Sequence, residues 1–118
     1  MDRQEIEEEL DMAKQPVQVI LRMEIAPGKE AEFEEVWLDI GRRIARTPAN
    51  RGQSLVRVGE QDGGALYFVL TEWADEEAFR AFEHSAEHVE HRRRLGAFRT
   101  GGDMVVARIV HDLRAERV

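Results

Sequence analysis

Residues 16–25, PVQVILRMEI, repeat with a period of two. Val17, Val19, Leu21, Met23 and Ile25 fall on one side, and Gln18, Arg22 and Glu24 fall on the other. This period specifies a half-buried strand, which needs neighbouring strands and a layer over its apolar side. The rest of the chain supplies both. Pro27 and Gly28 break the strand, and Glu30, Glu32, Glu34 and Glu35 then crowd a helix start, where the macrodipole favours acids. Phe33, Val36, Trp37, Ile40 and Ile44 recur at three- and four-residue steps, with Arg42, Arg43 and Arg46 near the helix end and Pro48 closing it. GQSLVRVGE and ALYFVLTEW read as two strands joined by a hairpin turn at QDGG. Asp75 then has the position of an N-cap, and Ala78, Phe79 and Phe82 form the buried stripe of a second helix. Gly101 and Gly102 punctuate, and DMVVARIVHDL is the last strand.

The order is β-α-β-β-α-β. It predicts an α+β domain of ferredoxin-like type, with an antiparallel four-stranded sheet and helices on one face. At 118 residues the chain suits one domain. That domain is expected over residues 15–114, preceded by an acidic arm over 1–14. The helix-free face needs a cover of its own. Two copies closing sheet to sheet into a dimeric α+β barrel would provide it, so a homodimer is expected.

Composition removes several functions. The chain has no cysteine, and therefore no disulfide, thiol nucleophile or thiolate ligand. Its formal charge is −7, which weighs against a nucleic-acid module. No apolar run approaches the roughly 20 residues of a bilayer span, and the N-terminus lacks a signal core. A cytoplasmic protein that works without a membrane is expected.

The stretch EHSAEHVEHRRR, residues 83–94, holds His84, His88 and His91 followed by Arg92, Arg93 and Arg94. The stretch continues the second helix or starts another capped by Ser85; on one unbroken helix the three histidines would share a face. The i, i+4 spacing of His84 and His88 is a known zinc-ligand spacing. Against a metal stand the arginines, which repel a cation, and the absence of cysteine to close a structural site; no metal is assigned. The histidines then form a solvated face, or one turns inward as a general base, which imidazole suits. Arg92, Arg93, Arg94 and Arg99 could steer an anionic or phenolate substrate or grip haem propionates; alternatively they cap a helix end and pair with acids. Arg57 on the second strand would be costly to bury without a partner. Tyr67 offers a hydroxyl on the third.

With YFVLTEWADEEAFRAFEHSAEH, residues 67–88, the chain resembles the antibiotic biosynthesis monooxygenase superfamily. The resemblance rests on a strand ending in Glu72 and Trp73, an acidic helix start, Phe79 and Phe82 three apart, and a nearby His84. The first strand, the PGKEAEFEEVW helix and the hairpin extend it over about 16–113. It implies a small dimeric α+β barrel. Members in aromatic polyketide pathways oxidise anthrones or related phenols to quinones without metal or flavin, and others degrade haem. Two departures bear on the chemistry. The anthrone oxygenases commonly carry an Asn four residues before the strand-end Trp, where this chain has Val69. The haem degraders use an Asn on the first strand, which is absent here.

The expectation is a monooxygenase that needs no cofactor and acts on an aromatic polyketide with dioxygen as co-substrate. Trp73 would pack the substrate, His84 or His88 would take a proton, and Arg57 would stabilise the phenolate. Trp37, Leu55, Tyr67, Phe79 and Phe82 would line the pocket, together with His84. A polyketide cyclase or aromatase on the same scaffold, and a ligand-binding dimer without catalysis, remain as alternatives.

Overall fold

The computed structural model describes residues 2–7, 14–61 and 63–114. Strand β1 spans Val17–Ile25, helix α1 Glu30–Ile44, β2 Asn50–Gln61, β3 Gly64–Trp73, α2 Glu76–Glu83, α3 Ala86–Gly96 and β4 Arg99–Arg108. The strands form one antiparallel sheet in the order β2-β3-β1-β4, the ferredoxin-like arrangement. Residues 3–7 are helical, with the Asp2 carboxylate accepting from the Glu5 N–H at 2.9 Å. Half of the expected acidic arm, including Leu10, lies outside the described residues, as does Asp62 of the hairpin turn.

β1 decides which way every other strand faces. Val17, Val19, Met23 and Ile25 are buried, with Leu21 half-buried between them. Their partners in the register, Trp73, Thr71, Tyr67, Ala65 and Val69 on β3, share that face. On β4 the register places Val106 and Met104 there, while Val105 and Ala107 join Ile20 on the opposite face.

α1 begins without a side-chain cap but has Glu30 and Glu32 in its first turn and Arg42 and Arg43 in its last. Both suit the helix dipole. It ends at Ile44, before the expected Pro48, and a turn covers residues 45–49. α2 starts at Asp75, whose carboxylate accepts from the Ala78 N–H at 2.8 Å.

The last strand starts earlier than its sequence suggests, at Arg99, and runs through Gly101 and Gly102. The glycines serve the pairing here. A Cβ on Gly102 would meet the Arg22 carbonyl at 2.0 Å, and Gly102 has φ +149°, a conformation that favours glycine. The register with β1 shifts at Glu24–Ile25, so the pair of glycines carries the strand through an irregularity.

The covered face has two unequal halves. Towards the start of α1, Phe33, Tyr67 and Phe98 pack closely, with Phe33 to Tyr67 ring centroids 4.9 Å apart. Phe33 has no solvent exposure. Towards the end of α1 the packing leaves a cavity. A Phe33→Ala substitution therefore removes the centre of the filled half, and denaturant unfolding should show a loss of about 3–5 kcal/mol.

Candidate active site

The cavity measures about 70 Å³. Trp37, Ile40 and Ile44 of α1 line it on one side, and Val19, Leu21, Val69, Thr71, Trp73 and Met104 form the sheet wall. Phe79 and Phe82 of α2, with His88 and Leu95 of α3, complete the enclosure. It is an apolar chamber with two polar side chains, the Thr71 hydroxyl and the His88 imidazole.

Trp73 is 1% exposed and forms the end wall. Thr71 and Trp73 are two apart on one strand and therefore on one face. The indole Nε1–H donates to Thr71 Oγ1 at 2.9 Å, which settles the ring's orientation and uses its only donor. Phe82 stacks on Trp73 with centroids 4.7 Å apart, and His88 stands against Phe82 at 4.5 Å. The order Trp73, Phe82, His88 is a continuous run of rings.

A break between α2 and α3 puts His88 there. Ser85 caps α3, its Oγ accepting from the His88 N–H at 3.2 Å and donating to the Phe82 carbonyl at 2.6 Å. The chain turns at this point, so the three histidines do not share one face. His84 is the C-cap of α2, with its side chain 75% exposed beside Glu83, and it does not line the chamber. His88 sits in the first turn of α3 and lines the chamber. His91, one turn further, is 3% exposed. Its Nε2 lies 3.7 Å from Glu87, and its ring meets His88 edge-on at 5.9 Å. Among the described residues no group of three or more acids and histidines is placed to hold a metal ion.

His88 Nδ1 is buried and has no hydrogen-bond partner among the described residues. Burial first, then the Arg92 guanidinium and His91, pushes the His88 pKa down to about 4. Burial also lowers that of His91, against the opposing pull of Glu87. At neutral pH the chamber therefore holds an uncharged imidazole with a free nitrogen.

Other expected residues gather elsewhere. Tyr67 is buried, and its hydroxyl donates to a Glu34 carboxylate oxygen. Burial and Glu34 push the phenol up to about 12. Arg57 lies 3.8 Å from the same carboxylate and over the Tyr67 ring, 5.7 Å from its centroid. Both residues face the helices, but at the filled end of the sheet, where Glu34 engages them away from the chamber. Leu55 packs on the core without lining the chamber. Thr71, Leu95 and Met104 do line it, though nothing in their local sequence singles them out. Val69 is also part of the wall.

The model of the antibiotic biosynthesis monooxygenase family matches residues 16–94. Among solved structures, a point mutant of SnoaB, a cofactor-independent oxygenase from Streptomyces nogalater, is 26% identical with a TM-score of 0.73. The match covers 86% of this chain and 99% of that one. A protein from Caulobacter crescentus superposes with a TM-score of 0.74 at 22% identity, covering 89% of this chain and 99% of its own. No curated protein matches the chain in sequence.

The lowered His88 pKa has a consequence for stability. An unfolded histidine titrates near 6.5, whereas His88 in the fold takes its proton only near 4. Between those values the unfolded chain binds more protons. The stability from the neutral ring is complete above about pH 6.5 and is lost as pH falls towards 4. Melting curves should show His88→Gln losing less stability than the wild type between pH 7 and pH 4.5.

Proposed function

The chain belongs to the antibiotic biosynthesis monooxygenase family, and from that premise we propose that it oxidises an electron-rich aromatic polyketide, an anthrone or related phenol, to a quinone with dioxygen and no cofactor. The observation that carries this reading is the neutral, unpartnered His88 imidazole in an apolar chamber walled by Trp73 and Phe82. The likeness to a cofactor-independent oxygenase supports it.

Such a substrate supplies its own electrons. His88 takes a proton from the activated ring carbon, and the resulting carbanion, delocalised as a phenolate, passes an electron to dioxygen. The radical pair joins as a peroxide anion at that carbon, the proton held by His88 returns to it to give the hydroperoxide, and loss of water, which takes the second hydrogen of that carbon, leaves a carbonyl. One oxygen atom ends in the quinone and the other in water. The fold's part is to hold the ring flat against Trp73, keep the base uncharged and exclude bulk water from the peroxide. His88 is preferred to His84 as the base because His84 stands in solvent. Arg57 is left out of the mechanism because Glu34 engages it at the other end of the sheet.

The assembly proposed for this activity is a homodimer through the helix-free face. Ile20, Leu66, Phe68 and Leu70 lie there by register, with Val56 and Val105 partly exposed. No described helix is long and apolar enough to cross a membrane. Light scattering should report a dimer at micromolar concentration, and Phe68→Asp should shift it to monomer by placing a charge in the apolar seam.

Purified protein should accelerate oxygen uptake by dithranol. His88→Ala should lower kcat by about 100-fold, the lower end for a lost general base, and His84→Ala should leave it unchanged. The rate should climb as pH rises through about 4, where His88 loses its proton, and stay level through neutrality. Turnover under argon would favour a cyclase, and binding without turnover a ligand-binding dimer. Full activity in Trp73→Ala would overturn the mechanism.

A further inference from the structure

The chamber adjoins a second cavity of about 240 Å³ that shares Leu21, His88, Leu95 and Met104 with it. Its other walls differ in chemistry: Met23, Glu83, Arg92, Gly96, Arg99 and Asp103. The chamber alone falls below the roughly 300 Å³ of an ordinary ligand site. A ligand larger than a single ring must continue past His88 into this vestibule.

The charged groups of the vestibule are unevenly engaged. Of the three successive arginines, Arg93 is paired with Glu90, and Arg94 with Asp39 at 2.9 Å. Arg92 has no acidic partner among the described residues, and it lines the vestibule. Arg99 donates through Nε to the Gly101 carbonyl at 3.2 Å and has no carboxylate partner among the described residues. Glu83 is engaged by Arg80 at 3.0 Å, on a guanidinium that Glu76 shares. Arg92 and Arg99 are thus the cavity's cations without a carboxylate partner among the described residues, and they stand beside the uncharged His88.

We infer that the vestibule is an anion subsite, in which Arg92, supported by Arg99, holds a carboxylate carried by the aromatic substrate. The substrate class is then an aromatic acid, ring inward against Trp73 and Phe82, carboxylate outward. A guanidinium suits a carboxylate because its planar N–H pair can engage both oxygens. The arrangement also gives the ring one orientation, since the chamber is too apolar to accept the charged end. This inference rests on the chamber being an aromatic-ring site, as proposed above.

The test uses the full chain and two probes, anthracene-2-carboxylate and the uncharged anthracene-2-carboxamide, with tryptophan fluorescence as the readout. The wild type should bind the carboxylate about 5- to 10-fold more tightly than the amide, the range of a partly exposed charge-assisted pair. Arg92→Gln should abolish that preference by bringing carboxylate binding down to the level of the amide, and Arg92→Lys should restore part of it. Arg93→Gln, which changes net charge equally, should leave the preference intact. Equal affinity for the two probes in the wild type overturns the inference and leaves the aromatic site standing. So does an equal loss in Arg92→Gln and Arg93→Gln. Failure of both probes to bind overturns the aromatic reading and the inference with it.

Discussion

The structure depends on the pairing of β1 along its whole length with β3 on one side and β4 on the other. Because successive residues of a strand point to opposite faces, that pairing imposes one parity on the whole sheet. Val17, Val19, Leu21, Met23 and Ile25 must lie under the helices, and Trp73, Thr71, Val69 and Tyr67 are forced to join them. A slip of one residue would turn Trp73 and Thr71 outward together, and the chamber would lose its sheet wall.

Within that frame the site is made by unequal filling. Phe33, Tyr67 and Phe98 close one end of the covered face. At the other end Trp73, Phe82 and His88 stack in sequence and leave space beside α1. Asp39 of α1 accepts from Arg94 of α3 and lies 3.5 Å from Arg43, so the two helices flanking the space are tied at their surface. Within this tie, burial lowers the proton affinity of His91 for the same reason as that of His88: desolvation disfavours the imidazolium. The chemistry and the packing thus share one cause, a dry cleft between helices and sheet.

Ser85 has the largest effect for its size. Its hydroxyl receives the His88 N–H and donates to the Phe82 carbonyl. It thereby ends one helix and begins the next within two residues. Without the break, His84 and His88 would stand on one face, as their spacing suggests. With it, one is in solvent and the other is in the chamber. The arginines divide in a similar way: Glu90 and Asp39 occupy two of them, and Arg92 has no acidic partner among the described residues.

The sequence alone determined the order and type of the elements, because each depends on local signals. The alternation in β1, the stripe of α1, the Asp75 cap and the glycine turn are all read within about ten residues. It also marked Trp73, Phe79 and Phe82 as aromatics that converge at a strand end and a helix start. Only the tertiary structure decided which residues meet. Tyr67 and Arg57 share the covered face with Trp73, yet Glu34, reached across the fold from α1, draws them to the far end. Gly101 and Gly102 read as a stop, but they pair inside β4, where the Arg22 backbone comes too close to Gly102 for a side chain. The Ser85 cap that separates His88 from His84 is itself a local signal, whereas the proton affinity of His88 is set by desolvation in a cleft built from six elements. Local pattern carries no information on that affinity, since it depends on what the rest of the chain places around the ring.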